Sequence, residues 1–274
     1  MKISIYTQIF PRLETFFLEE WVEHHIKLGV DKIYLYDNGM VNTDSLNNKA
    51  SKLPDEFAGV KWEKKPDADY FLDYTDNEIY EKLNQVVEKF NNQVTLVKWT
   101  PMRECPYKKR IFCQAEGYLH CISNNKSDWW IHIDPDEYLF SEKYDTIKEF
   151  LHINEEQKRY SLQLSQRVFE SRTREKKVRE IYEWGYDIRH TKTMVKSPNM
   201  RLDSNTKYGK IVHKMPSTLG DYFKVQLSDF RFNHYRGMGQ NRNGPNDKAY
   251  RSKHKISSFD KIDETMKRFL ENEK

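Results

Sequence analysis

Two carboxylates stand two residues apart, Asp134 and Asp136, in the run Trp129-Trp130-Ile131-His132-Ile133-Asp134-Pro135-Asp136-Glu137-Tyr138. In extended backbone, residues i and i+2 project to the same face, so the pair would aim at one point. Pro135 would stiffen the bend, and Glu137 would face elsewhere or support the pair. Like charges this close, after an apolar run, repel and resist desolvation unless something cationic lies between them. A hard divalent ion with oxygen ligands, Mn²⁺ or Mg²⁺, meets that requirement. Such an ion could bridge both phosphates of a nucleoside diphosphate and, as a Lewis acid, offset the charge that grows as this group leaves. The bland alternative is an acidic turn that caps a following helix and binds nothing, and Asp-x-Asp by itself is frequent by chance.

Other residue types could serve the same chemistry. Lys108, Lys109 and Arg110 form a cationic run that could reach phosphate oxygens, although solvated surface charge is the commoner reason for such a run. In Phe230-Arg231-Phe232-Asn233-His234-Tyr235-Arg236, alternation puts Phe230, Phe232 and His234 on one face, where a core histidine is the plain reading. His24, His25, His120 and His132 are assigned to packing or surface roles.

The elements that must carry these residues follow from periodicity. Residues 2–9 read as a strand, and Phe17, Leu18, Trp21, Val22, His25 and Ile26 recur at helical spacing up to Gly29. Residues 31–39 form a β-rich run stopped by turn residues, completing a β-α-β unit with parallel pairing. A second helix carries Ile79, Tyr80, Leu83, Val86, Val87 and Phe90, and 94–99 is the next strand. A third carries Ile111, Phe112, Ala115, Tyr118, Leu119 and Ile122, and ends at Asn124-Asn125 before the apolar strand 129–133. Asp134 therefore sits at a strand's carboxyl end, in what reads as an open, doubly wound α/β sheet.

Beyond residue 160 the texture changes to shorter strand-like runs, 160–169 and 225–227 among them, with charged loops such as 172–180 between them. This half is expected to be antiparallel. Phe259, Ile262, Met266 and Phe269 mark a closing helix. Its basic side chains could lie against an anionic membrane surface, but more commonly they solvate an outer face.

Bulk properties bound the answer. The 274 residues are expected to form one domain, with 1–140 as its ligand-binding half, 141–250 as its second half and 251–274 as the terminal amphipathic helix. Hydrophobic residues make up 37% and aromatics 14%, enough for a sizeable core despite 32% charged residues. The 46 basic and 42 acidic side chains leave +4, too small an imbalance to make nucleic acid the main partner. Cys105, Cys113 and Cys121 are odd in number and lack CxxC spacing, which suits free thiols rather than a disulfide framework. No window is long and apolar enough for a membrane span, so a cytoplasmic protein is expected, at most peripheral to a membrane.

Several segments together resemble the family 92 glycosyltransferases and related bacterial and viral family-2-like enzymes, which share the GT-A fold. The resemblance rests on Glu14-Thr15-Phe16-Phe17-Leu18-Glu19-Glu20-Trp21, on His25, Leu28-Gly29-Val30-Asp31 and Tyr34-Leu35-Tyr36-Asp37-Asn38, on Gln114-Ala115, Tyr118 and Cys121, and on 130–139. Lys210-Ile211-Val212 and His234-Tyr235-Arg236 echo later segments, and Leu13 stands where the family pattern has Asn. It spans most of 1–240 and is loose between 160 and 205.

The resemblance implies a single GT-A domain, a mostly parallel central sheet with a smaller antiparallel acceptor side, and transfer of a sugar from a nucleotide-sugar donor, a UDP-hexose favoured, to a glycan or glycolipid hydroxyl. It implies that Glu14 and Asp37 line the nucleotide pocket, that Gln114 belongs to the donor site, and that His234, ahead of His213, joins Asp134 and Asp136 as a third metal ligand with Arg236 assisting the diphosphate. Without it, Asp37-Asn38-Gly39 is simply a turn.

An inverting mechanism would need a carboxylate to take the acceptor proton. Glu170 is the choice for that base, with Glu183 and Asp187 as rivals, any of which could instead sit in a surface salt bridge. Three rival classes stand beside this reading. Clustered carboxylates also serve metal-dependent phosphohydrolases and nucleases, though these generally need more ligands. A nucleotidyltransferase would need a Gly-rich, basic phosphate loop near the first strand, and Gln8-Ile9-Phe10-Pro11-Arg12 does not resemble one. A non-enzymatic polyanion binder would use 172–179 and lose affinity steeply with salt.

Overall fold

A computed structural model describes residues 1–39, 74–99, 114–169, 178, 181, 183–200, 222–235, 261–264 and 266. Its centre is the strand β1 (Ile3–Ile9), every residue of which is buried. Ile3, Ile5, Thr7 and Ile9 face one side of the sheet, and Ser4, Tyr6 and Gln8 face the other, because side chains alternate along a strand. β2 (Lys32–Asp37) pairs with β1 in parallel, from Ser4↔Lys32 to Ile9↔Asp37. β3 (Val94–Lys98) pairs in parallel with β2, and β4 (Trp129–His132) in parallel with the other side of β1. The order β3-β2-β1-β4 reverses direction at β1, which opens a crevice at the carboxyl ends of the strands.

Three helices connect these strands. α1 (Pro11–Lys27) starts with proline at its first turn, where the missing N–H costs nothing. It ends before Gly29, whose φ of +99° is accessible to glycine and strained for other residues. α2 (Asp76–Lys89) begins in a reciprocal capping box between Thr75 and Glu78 and buries Ile79, Leu83 and Val86. α3 (Gln114–Asn124) comes so close to β1 that a Cβ on Gly117 would lie within 2.4 Å of the Tyr6 hydroxyl. The face beneath it is aromatic, with Tyr6, Tyr34, Tyr36, Tyr118 and Trp130 packed together.

Past β4 the sheet becomes mixed. β5 (Glu137–Phe140), α4 (Ile147–Glu156), β6 (Ser161–Phe169), β7 (Glu183–Lys196), β8 (Phe223–Lys224), β9 (Arg231–Tyr235) and β10 (Lys261–Ile262) follow in chain order. β7 runs antiparallel to β4 and to β6, β9 antiparallel to β5 and parallel to β6. The mostly parallel first half agrees with the sequence pattern, whereas the second half is antiparallel only in part, since β6 runs parallel to β8 and β9.

Three expectations need correction. Residues 225–227 are not a strand. The pairing residues are Phe223–Lys224, while Leu227 lies in a turn from which Asp229 and Phe230 both donate their N–H to the Gln226 carbonyl, at 3.1 and 3.2 Å. The closing helix does not include Lys261–Ile262, which pairs with β7. Ile262 is 61% exposed while Met266 is buried, so the two do not share an apolar face. Arg167 and Arg231 hold Asp263 at 2.7 and 3.1 Å and so fix this segment against the sheet. Asp134-Pro135-Asp136-Glu137 is not extended but a β-turn closed by the Glu137 N–H on the Asp134 carbonyl at 3.0 Å, with proline at the second position it favours.

α1 is tied to β5 by two buried histidines. The His24 Nε2–H donates to the Leu139 carbonyl at 2.7 Å, and the His25 Nδ1–H to the Trp21 carbonyl at 2.7 Å. The Leu139 N–H donates to His25 Nε2 at 3.2 Å, which requires the neutral ring. Burial depresses His24 to about 4, against the bond to Leu139 and helped by Lys27, and burial depresses His25 as well. An unfolded histidine titrates near about 6.5, so between the two values the unfolded chain binds more protons. Stability is therefore expected to be fully present above pH ~6.5 and to fall as pH drops towards 4, by about 3 kcal/mol from His24. Urea midpoints measured across that window check this, and a flat profile would mean both rings accept protons without unfolding.

Candidate functional site

The β4–β5 turn lies at the carboxyl edge of the parallel strands, where β1 delivers the start of α1 and β2 delivers Asp37. Its two aspartates point to different partners. Asp134 accepts from the Lys192 ammonium at 2.8 Å, and Glu137 lies 3.0 Å from the same nitrogen. The Asp134 N–H donates to Glu137 Oε2 at 2.8 Å. Asp136 lies 3.2 Å from His234 Nε2, and its carbonyl accepts the Tyr235 N–H at 2.8 Å. The pairing of β5 with β9, which sets Glu137 opposite His234, brings these residues together across 98 positions of sequence.

Exposure separates the roles. The side chains of Lys192 and Glu137 are each 3% exposed, whereas that of Asp134 is 30% exposed. Burial would push the Asp134 carboxyl up, but the ammonium of Lys192 outweighs it and holds the group below the usual carboxylate range. For Glu137, burial prevails over Lys192, and repulsion from Asp134 and Asp136 adds to it, pushing the group up to about 8. Lys192 is held in its charged form because the two carboxylates outweigh the cost of burying it.

His234 carries the clearest geometric signal. Its Nδ1 lies 3.2 Å from the side-chain amide of Gln166, which holds the ring from the side away from Asp136. With a hydrogen on Nδ1, Nε2 would face Asp136 Oδ2 as a second acceptor, an arrangement that a cation shared between the two would satisfy. Either a proton makes the ring an imidazolium, or a metal ion binds both atoms. Two ligands about 2.1 Å from one ion and at right angles are about 3 Å apart, close to the spacing seen. Carboxylate oxygen and imidazole nitrogen are a donor set suited to Mn²⁺, with Gln166 orienting the ring from behind. Among the described residues no three His, Cys, Asp or Glu side chains converge as a preformed metal cage. Asp134, turned to Lys192, is the reason the aspartate pair does not do so.

The other expected residues divide as follows. Glu14, near the start of α1, accepts the Phe10 N–H at 2.6 Å and so caps that helix. Asp37 ends β2, is buried, and accepts the Gly39 N–H at 2.8 Å; burial raises its pKa, against bonds from Gly39 and Tyr80. Asp37 stands at the carboxyl end of β2 and Glu14 in the helix that follows β1. Gln114 is the first residue of α3, and its side chain lies outside the described residues, as do Glu170, Lys108, Lys109, Arg110, His213, Arg236 and the side chain of Glu183. Asp187 is paired with Arg167 at 3.0 Å in a salt bridge. His132 packs between Tyr6 and Tyr118, and His120 shares a 2.8 Å hydrogen bond with the Tyr36 hydroxyl, the packing roles expected of them.

Sequence reasoning missed Lys192 and Gln166. A signal for Lys192 was present: it alternates with buried Met194 along β7, and a lysine at an inward position must have an acidic partner.

The model of glycosyltransferase family 92 matches residues 60–271 of this chain. The chain belongs to glycosyltransferase family 92. As a member of that family it is a transferase, and the GT-A type of sheet described above is the scaffold on which it works. The family match begins after the 14–38 segment, so the similarity there rests on the residues quoted for it. No curated protein matches the chain. Among solved structures, HddC from Yersinia pseudotuberculosis is 12% identical, with 93% of this chain and 99% of that one covered and a TM-score of 0.42. TarS residues 1–349 from S. aureus is 9% identical over 85% and 60%, with a TM-score of 0.38. A UDP-glucose pyrophosphorylase complexed with UDP-glucose is 11% identical over 93% and 99%, with a TM-score of 0.35. No helix among the described residues of this family 92 chain is long and apolar enough to cross a membrane.

Proposed function

We propose that this glycosyltransferase moves a sugar, a hexose from a UDP donor being favoured, to a hydroxyl of a glycan or glycolipid acceptor, with a single Mn²⁺ or Mg²⁺ ion at the β4–β5 turn. The observation that carries the reading is the Asp136–His234 pair at 3.2 Å, with Gln166 against the other ring nitrogen of His234. Family membership supplies the reaction class, and the acid-bearing turn at the mouth of the crevice supplies a place for the diphosphate.

In this reading Asp136 and His234 hold the ion, Asp134 borders it, and the remaining positions go to water and phosphate oxygens. The ion supplies charge stabilisation to the departing diphosphate. Asp37 and Glu14 accept hydrogen bonds from the nucleoside, and Arg236, Lys108, Arg110 and Gln114 belong to the donor side. Glu170 is the acceptor base if configuration is inverted. The chain works inside the cell, at most peripheral to a membrane.

A thermal-shift panel of UDP, GDP, TDP and CMP sugars, each with and without Mn²⁺, tests the donor and the ion together. A UDP-sugar with Mn²⁺ is expected to raise Tm by several degrees, because a ligand at 100 times its Kd adds about 2.7 kcal/mol of stability. Slow hydrolysis of the same donor should accompany the shift. A response indifferent to Mn²⁺ would remove the ion, and a response to none of the sugars would remove the donor class.

A further inference from the structure

No sequence pattern at the turn announces Lys192. Its ammonium is almost wholly enclosed and sits between two carboxylates, Asp134 Oδ2 at 2.8 Å and Glu137 Oε2 at 3.0 Å. Those two acids are the first and last residues of the turn that presents Asp136. Glu137 also takes the Asp134 N–H, so the turn is closed by the Glu137 N–H on the Asp134 carbonyl, by the Asp134 N–H on Glu137, and through Lys192 from below. The lysine itself is rigidly based. β7 pairs with β4 on one side, Ile131↔Met194, and with β6 on the other, Leu164↔Lys192. The same β6 carries Gln166, which orients His234.

We propose that Lys192 is the positioning residue of this site: its buried ammonium clamps Asp134 to Glu137, fixes the angle of the 134–137 turn, and so sets Asp136 against His234. The inference rests on the reading of the turn as the donor-diphosphate site. Two consequences follow from the geometry. Asp134 is held by the lysine through Oδ2, so the two aspartates are unequal, Asp136 being the one directed at His234. Without the ammonium, two carboxylates would face each other in an enclosed space, and the turn would have to open to let water reach them.

The test uses the full chain with two variants, Lys192→Met and the double variant Lys192→Met with Glu137→Gln. The double variant removes the repulsion that the single one creates, so it separates loss of position from loss of fold. Amide hydrogen exchange of the metal-free proteins is the first readout. Exchange at 134–138 is expected to rise at least tenfold in Lys192→Met, with β1 and β2 unchanged. The second readout is binding of Mn²⁺ followed by electron paramagnetic resonance. Its dissociation constant is expected to weaken at least tenfold in both variants, even where the double variant recovers the Tm of the parent. Unchanged exchange at the turn, or Mn²⁺ affinity restored along with Tm in the double variant, would overturn the positioning role and leave Lys192 a structural ion pair. Should the parent protein bind no Mn²⁺, the ion of the functional reading falls, and the exchange data alone then decide for or against the clamp.

Discussion

Asp136→Asn is expected to lower the rate of sugar transfer by about a thousandfold or more, about 4 kcal/mol of lost transition-state stabilisation, while leaving the fold intact. The substitution keeps the shape of the side chain and removes its charge. The backbone bond from the Tyr235 N–H to the Asp136 carbonyl does not involve the side chain, so the turn and the β5–β9 pairing survive. What changes is the counter-charge opposite His234. With a neutral amide 3.2 Å away, Nε2 no longer has an anionic oxygen with which to share a cation. The Mn²⁺-dependent part of the thermal shift should vanish along with the activity. Tm without ligand should change little, because the side chain keeps its shape and the backbone bond from Tyr235 remains. A variant that retains transfer within tenfold, or that still shifts with Mn²⁺, would mean that the ion, if any, is held by Asp134, and that the hydrogen of His234 sits on Nε2 instead of Nδ1.

The largest effect on stability is expected at Trp21. Its ring is fully buried between α1 and β5, 4.4 Å from His25, and its Nε1–H donates to the Glu137 carbonyl at 2.8 Å. Truncating a buried tryptophan to alanine costs about 3–5 kcal/mol in lost burial and cavity formation. The Glu137 carbonyl, left without this donor, adds about 1 kcal/mol or more. Against a total stability of about 5–15 kcal/mol, Trp21→Ala should leave the protein marginal or unfolded at 37 °C. Trp21→Phe retains most of the buried area and isolates the hydrogen bond, so its urea midpoint should fall by only a fraction of that amount. Because this bond ends on the last residue of the aspartate turn, Trp21→Phe should also weaken donor binding, whereas a purely hydrophobic role would leave the donor KM unmoved.

Much of the scaffold is legible in the sequence because each element carries its own signal. Buried parallel strands need apolar or small residues on both faces, and the β1, β2 and β4 segments have them. The apolar spacing in α1 and α2 shows which face they bury, and Gly29 marks where α1 must stop. The family resemblance around 114–139 takes in this turn, but not its conformation. Spacing alone makes two aspartates separated by proline extended and convergent, whereas proline at the second position favours a turn, and the turn sends them to different partners. The placing of Ile262 in the terminal helix fails for a related reason. Phe259, Ile262, Met266 and Phe269 have helical spacing, but the ion pairs of Asp263 with Arg167 and Arg231 act across some 32 to 96 positions, and no local window contains them.

By itself the sequence determined that strands alternate with helices through the first half, that an apolar strand ends in a cluster of acids, and that this cluster needs a cation. It left open which cation, and which residues complete the site. That was decided by registers between distant strands. Lys192 reaches Asp134 across 58 residues and His234 reaches Asp136 across 98, through β7 and β9 respectively. A shift of one residue in either pairing would carry the lysine or the histidine to the opposite face of the sheet. Periodicity states which residues of a strand share a face, whereas only the packed sheet states what that face meets.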